Sequence, residues 1–371
     1  MSSFIFLHKR STKKTMSLTL NKRIDAFSEL GEILRSYSDN NRIDRYEKYY
    51  RILDRRKKTA EEENPWFTEK NIMQALKNTG FTLETQKISE WINSYSEFKK
   101  QDKEPRIIGV VNAGNIPLVG FHDFLCVLIS GNIYYGKLSS KDKELPGAVS
   151  EILIDLEPEL ENYIRFESEN LKNFDGIIAT GSDNTSRYFE YYFGKYPHII
   201  RKNRNSAAVL TGNESGEELK KLAEDIFLYF GLGCRNVSKI FIPQGYQFNS
   251  FFENIQHYEE ELKQHNKYSN NYDYNRTIFL MNKTPHLDNG FLLLKEDTGF
   301  GSPIATLFYE TYTSIKTVKE SLNAQKENIQ CIVSSHNQIK EAISFGESQK
   351  PGLSDYADNI DTVQFILSLN N

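Results

Sequence analysis

The chain predicts an α/β fold built on parallel sheets, and three observations carry that expectation. From Arg106 onward, short apolar runs alternate with amphipathic stretches, the pattern of right-handed βαβ units. The runs are bounded by turn-forming residues such as Gly131-Asn132. A length of 371 residues allows about two domains and a substantial core.

Taken in order, residues 16–100 read as helical, over Arg23 to Ser36, Asp44 to Arg55, and Thr68 to Asn78 after Asn64-Pro65-Trp66. Ile107 to Val111 is a buried strand, and Asn112 to Pro117 is its polar exit loop. A helix over Val119 to Leu128, a strand over Ile133 to Leu138, and a helix over Pro146 to Leu153 follow. The strand Asp175 to Ala179 leads through Thr180-Gly181-Ser182 into a helix over Ser186 to Phe193. A second alternation opens at Ser206, with a strand at Ala207 to Leu210, a helix at Glu218 to Phe230 and a strand at Val237 to Pro243. Residues 250–270 are polar and helical, and further strands are expected at Thr277 to Met281, Ile304 to Tyr309 and Cys331 to Val333.

The same pass suggests domain limits. Met1 to Lys14 is basic, and its apolar run Phe4 to Leu7 is too short for a signal-peptide core. Residues 1–15 are therefore expected to be a disordered extension, with Met16 a plausible start of the folded part. Residues 16–205 should form the first domain, 206–340 the second, and 341–371 a segment that returns to the first domain or packs at the junction.

Composition narrows the function. A hydrophobic content of 39% with 26% charged residues is ordinary for a soluble globular protein. A formal net charge of −4 gives no bulk attraction to nucleic acid or to an anionic membrane. No run approaches the ~18 apolar residues needed to span a bilayer. The three cysteines, Cys126, Cys234 and Cys331, are too few and scattered for a disulfide framework or a zinc site. A reducing cytoplasm fits that usage. Neither a Walker A sequence nor Gly-x-Gly-x-x-Gly occurs.

One window speaks directly to chemistry. In Phe230-Gly231-Leu232-Gly233-Cys234-Arg235-Asn236 a thiol follows two glycines that should end the preceding helix. Beside Arg235 such a thiol is placed to have a lowered pKa and to approach a carbonyl. The alternative is a small buried hydrophobe. In parallel sheets ligands bind at the carboxyl ends of the strands. Asn115, Ser139-Ser140 and Thr180-Gly181-Ser182 all follow strands and should share one crevice.

With these elements in order, the chain resembles the aldehyde dehydrogenase superfamily, and within it the acyl-CoA reductases of the LuxC type. Asn115-Ile116-Pro117-Leu118 is similar to the superfamily's Asn-x-Pro-Leu loop, whose asparagine helps to form the oxyanion hole. Ser130-Gly131-Asn132 and Lys137-Leu138-Ser139-Ser140 resemble its Ala-Gly-Asn…Lys-Pro-Ser-Glu nucleotide-binding stretch. Ala179-Thr180-Gly181-Ser182 resembles Phe-Thr-Gly-Ser at the pyrophosphate-facing helix. Gly231 to Cys234 resembles the Gly-Gln-x-Cys loop of the nucleophile, and Phe345 to Gly352 the late Phe-Gly-Gly-x-Lys-x-Ser-Gly segment. The resemblance implies a Rossmann-type cofactor domain and a smaller α/β catalytic domain. It makes Cys234 the nucleophile and Asn115 the oxyanion donor, and assigns cofactor binding to Lys137, Ser139, Ser140, Thr180, Gly181 and Ser182. It also suggests a homo-oligomer. The family is known from bacterial luminescence, where it supplies fatty aldehyde.

Departures from the pattern refine the expectation. Hydrolytic relatives carry a Glu-Leu-Gly-Gly segment whose glutamate activates water, whereas Arg201 to Ser206 holds no carboxylate. An enzyme without that base should transfer acyl groups between thiols rather than hydrolyse them, so reduction of an acyl-CoA or acyl-carrier-protein thioester to the aldehyde is the leading reading. Ser140 replaces a glutamate that would bind the adenosine ribose, and Lys137 and Lys141 remain, which favours NADPH over NADH. The Glu-x-Phe-Gly-Pro motif aligns only imperfectly with Glu296 and Ser302-Pro303. Alternatives are an aldehyde dehydrogenase forming acid, and a non-catalytic acyl-binding protein.

Other residues have plainer readings. His122 and Asp123 are adjacent on a helix and point in different directions, so they should not act as a dyad. Cys126 and Cys331 are expected in the core, and Arg201-Lys202-Asn203-Arg204 is either a solvated turn or a patch facing CoA phosphates or an acidic carrier.

Overall fold

A computed structural model of the chain describes residues 18–99 and 104–369; the extension expected over residues 1–15 lies outside them. The chain opens with four helices, α1 (Leu20–Ser38), α2 (Glu47–Glu63), α3 (Glu69–Thr82) and α4 (Thr85–Asn93). Thr19 and Thr68 cap α1 and α3, their hydroxyls accepting from the amides of Lys22 and Asn71. Phe27, Leu30 and Leu34 recur at helical spacing on α1, and together with Ile33 all four are fully buried.

Five parallel strands follow: β1 (Ile107–Val111), β2 (Ile133–Lys137), β3 (Ile164–Phe166), β4 (Gly176–Thr180) and β5 (His198–Arg201), in the order β3-β2-β1-β4-β5. Helices α5 (Phe121–Ile129), α6 (Glu144–Leu156) and α7 (Asp183–Phe193) make the crossovers. Strand order reverses between β1 and β4, the switch point where such sheets bind ligands. The N-terminal helices share one core with this sheet, joining Leu30 and Leu34 to Val110, Leu125 and Ile178.

A second sheet starts only three residues later. Its strands are β6 (Asn205–Val209), β7 (Val237–Pro243), β8 (Leu287–Asp288), β9 (Leu293–Glu296), β10 (Thr306–Tyr312) and β11 (Ile329–Val333), in the order β11-β6-β7-β10-β9-β8. Only β8 is antiparallel to its neighbour. Helices α8 (Gly216–Phe227), α9 (Asn249–Ile255), α10 (Glu259–Gln264), α11 (Asn266–Met281) and α12 (Ile315–Ala324) surround it, and α13 (Thr362–Ser368) ends the chain. Because β5 runs almost directly into β6, the carboxyl edge of the first sheet meets the amino edge of the second.

The structure corrects two local expectations. Thr277 to Met281 is the last part of α11, not a strand. Its run of apolar residues mimics a buried strand, but Phe279 is buried while Leu280 and Met281 are 56% and 75% exposed, so only one face meets the core. The helix expected to reach Phe230 stops at Phe227, and the glycines do not end it. Tyr229 and Phe230 have φ of 53° and 57°, ahead of Gly231 at 76°. Three consecutive left-handed residues turn the chain, a strained arrangement for the two aromatic ones.

Residues beyond Ser344 run along the junction. Asp225 of α8 accepts from the amides of Gly346 (2.7 Å) and Ser348 (3.0 Å). Leu353 O bonds His122 Nε2 at 2.9 Å, and Tyr356 Oη accepts from Trp91 Nε1 at 2.8 Å. On β5, Arg201 grips Asp123 through both Nη atoms (2.5 and 2.9 Å) and reaches Thr362 Oγ1 at 2.8 Å. Both side chains of that pair are over nine-tenths buried. Arg204 pairs with Asp358 at 3.2 Å. The two arginines of the basic run therefore serve the junction rather than a ligand or a solvated turn. Removing the guanidinium leaves Asp123 buried and unpaired, so Arg201→Ala should lower unfolding free energy by about 3–5 kcal/mol in denaturant titration. Asp123→Asn on that background should recover part of the loss.

Candidate active site

The loop that presents Cys234 is held by one asparagine. Asn236 Nδ2 donates to the carbonyls of Asp225 (3.1 Å), Ile226 (3.3 Å) and Leu228 (2.8 Å), which α8 leaves open where it ends. Its Oδ1 accepts from Gly233 N at 2.8 Å. One buried side chain thus ties the helix end to the turn before the thiol. Asn236 was in the sequence window without a role, because its partners are backbone groups that only the fold brings together.

Asn115 reaches the same loop from the first sheet, its Nδ2 donating to Leu232 O at 2.7 Å. Ile116 and Gln349 flank Gly233. Ser206, fully buried at the start of β6, donates its hydroxyl to Cys234 O at 2.9 Å and also accepts from Cys331 N at 3.2 Å. Cys331 Sγ lies 3.1 Å from the same hydroxyl and is only partly buried, so it borders the Cys234 loop instead of filling the core. Cys126 is fully buried.

Cys234 is open to solvent on one side, but the surrounding protein encloses it on the others. That desolvation pushes the thiol up to about 11, against the expected lowering. Arg235 does favour the thiolate, yet its guanidinium also leans on Ser348 O and Asp355 O at 3.5 and 3.3 Å. Charge alone suggested activation, and burial outweighs it.

The other residues singled out lie on the carboxyl edge of the first sheet. Lys137 ends β2, and Ser139, Ser140 and Lys141 follow it, with Ser140 and Lys141 exposed. Ser139 Oγ accepts from Lys141 N at 3.3 Å. Thr180 ends β4, and Ser182 caps α7 by accepting from Thr185 N at 3.3 Å. This edge offers what a dinucleotide's phosphates require: hydroxyls, an ammonium and the amino end of an 11-residue helix. None of residues 137–141 is a carboxylate. Glu167, just after β3, was not singled out from sequence. Its oxygens accept from Glu169 N (3.1 Å), Ser168 N (2.8 Å) and Tyr135 Oη (3.2 Å), which hold it below the usual carboxylate range.

His122 and Asp123 go to different partners, Leu353 O and Arg201, and desolvation lowers the His122 pKa. Glu296 ends β9, exposed. The loop after it is fastened by Lys239, whose fully buried ammonium donates to Asp297 O at 2.9 Å and pairs with Glu310 at 2.5 Å.

Comparison with known proteins adds two findings. A family model described as acyl-CoA reductase (LuxC) matches residues 19–268. The fold is similar to that of solved aldehyde dehydrogenases. Aldehyde dehydrogenase 21 from Physcomitrella patens, in complex with the reaction product succinate, is 14% identical at a TM-score of 0.58, over 95% of this chain and 88% of that one. A Mycobacterium tuberculosis aldehyde dehydrogenase complexed with NAD+ is 11% identical at 0.57, over 89% and 79%. An NADP dependent enzyme from E. coli is 10% identical at 0.57, over 89% and 80%. No curated protein matches the chain in sequence.

The raised thiol sets a pH expectation. Only the thiolate is alkylated, so the rate at Cys234 should rise about tenfold per pH unit from 7 towards 10. Iodoacetamide labelling followed by peptide mass spectrometry measures it; a rate that levels off below pH 8 contradicts the assignment.

Proposed function

Because the chain belongs to the acyl-CoA reductase (LuxC) family, we propose that it reduces an acyl thioester, on CoA or a carrier protein, to the aldehyde with NADPH. One observation carries this reading: the Cys234 loop adjoins Asn115, while the Arg201–Ser206 stretch turns an arginine inward. That arginine is committed to Asp123, and the stretch itself holds no carboxylate to activate water.

The chain's residues divide the chemistry as follows. The Cys234 thiolate attacks the thioester carbonyl, forming a carbon–sulfur bond. Asn115 Nδ2 leaves Leu232 O and donates to the oxygen as negative charge develops there. The bond to the carrier sulfur then breaks, and the carrier thiol departs with a proton. When bound, a nicotinamide dinucleotide supplies the hydride that takes the acyl carbon to the aldehyde level. Asn115 again steadies the oxygen, the bond to Cys234 breaks, and the thiolate is restored as the aldehyde leaves. Arg235 is the cation beside the thiol and favours its ionised form against the desolvation that raises it.

Lys137, Ser139, Ser140, Thr180, Gly181 and Ser182 are assigned to the dinucleotide, with the α7 amino end receiving its pyrophosphate. The cationic pair Lys137 and Lys141 and the absence of a carboxylate at Ser140 support a 2′-phosphate. Glu167, just after β3, spends its oxygens on local donors.

Two tests follow. Radiolabelled long-chain acyl-CoA should label the protein covalently, and Cys234→Ala should abolish the label; an alanine variant that acylates normally removes Cys234 from the role. For the cofactor, kcat/KM should favour NADPH over NADH. Lys137→Ala should raise the NADPH KM about tenfold or more while leaving acylation measured without cofactor nearly unchanged. A preference for NADH overturns the cofactor assignment.

A further inference from the structure

Two loops that leave adjacent strands are fastened to each other. The loop after β1 carries Asn115, and the turn after β2 carries Ser139 and Ser140. They touch first at Gly114, where a Cβ would overlap the Ser139 side chain, so glycine is required by close approach. The turn closes on itself, Asp142 N donating to Ser139 O at 3.1 Å in an isolated antiparallel bridge. Asp142 then reaches back across the gap. Its Oδ2 accepts from Leu118 N at 2.8 Å, at the end of the loop bearing Asn115. Leu118 has φ of 58°, a left-handed conformation that leucine adopts only when something holds it.

The carboxylate is poorly suited to its surroundings for any other purpose. Asp142 is 4% exposed, and its Oδ1 is buried without a hydrogen-bond partner. Burial pushes the carboxyl up to about 7, with the Leu118 amide opposing. A buried polar atom left unsatisfied is a cost that packing alone does not ask for. What the group achieves is the bond to Leu118. Through it hydrogen bonds run from Ser139 to Asp142 and on to Leu118; the backbone leads from Leu118 through Pro117 and Ile116 to Asn115, whose Nδ2 reaches Leu232, two residues before the thiol.

We propose that Asp142 is a positioning residue that couples the Ser139–Ser140 turn to Asn115, so that a dinucleotide seated on the turn speeds acyl transfer to Cys234. The inference rests on reading the site as a cofactor-dependent acyl-thioester reductase. It makes the first half-reaction, which needs no reductant, responsive to the cofactor.

The test uses NADP+, which occupies the site without reducing the acyl group. Two readouts are followed in the wild type, Asp142→Ala and Asp142→Asn. One is hydrogen exchange of peptides covering residues 113–120 and 137–142. The other is single-turnover release of CoA from an acyl-CoA. In the wild type, NADP+ should slow exchange in both segments and raise the CoA-release rate about fivefold, the lower range of measured couplings. In Asp142→Ala, protection of 137–142 should persist while protection of 113–120 and the rate gain disappear. Asp142→Asn keeps an oxygen for Leu118 N and should restore both, which a loss of general stability would not allow. Equal NADP+ effects on 113–120 in wild type and Asp142→Ala overturn the proposal. If NADP+ protects neither segment of the wild type, the cofactor reading fails and the coupling with it. If NADP+ protects both segments but no CoA is released, the thioester reading fails, and the rate gain proposed for Asp142 is overturned.

Discussion

Only three residues separate β5 from β6, and that short join constrains everything else in the molecule. It leaves no room for the second sheet to swing away, so the carboxyl edge of one parallel sheet faces the amino edge of the next. The loop that leaves β1 therefore meets the loop that enters β7 at this seam. Asn115 and the Cys234 loop lie over a hundred residues apart in sequence, yet a 2.7 Å hydrogen bond joins them. The C-terminal segment completes the seam, binding α8 through Asp225 and the first sheet through Thr362.

Much of this was legible in the chain because it depends on local patterns. Alternating apolar runs specify strands and crossovers, and glycine, asparagine and proline mark where they stop. The run Thr277 to Met281 failed because four consecutive apolar residues after a β-branched threonine satisfy a buried strand and a helix end equally well. Only the continuing 3.6-residue repeat from Asn266, with Phe279 inside and Leu280 and Met281 outside, separates them. Phe230 failed differently. Its left-handed backbone lies in the turn that Asn236 ties to the helix end, and no local preference of phenylalanine announces it.

The site divides along the same line. Residue types and their order pointed to Asn115 and the Cys234 loop as neighbours, and a hydrogen bond joins them. Electrostatics were not legible. Arg235 beside Cys234 suggested a lowered thiol pKa, but desolvation depends on packing by segments distant in sequence, and it wins. Likewise Arg201 looked like a surface charge until Asp123 and Thr362 closed around it.

The central claim is that an acyl group passes from a thioester to Cys234 and leaves as an aldehyde rather than an acid. Product analysis of a single incubation with long-chain acyl-CoA and NADPH measures it most directly. The account predicts aldehyde equal to the NADPH consumed, with free CoA in the same amount and little fatty acid. Sustained release of fatty acid with NADPH left unoxidised would contradict it.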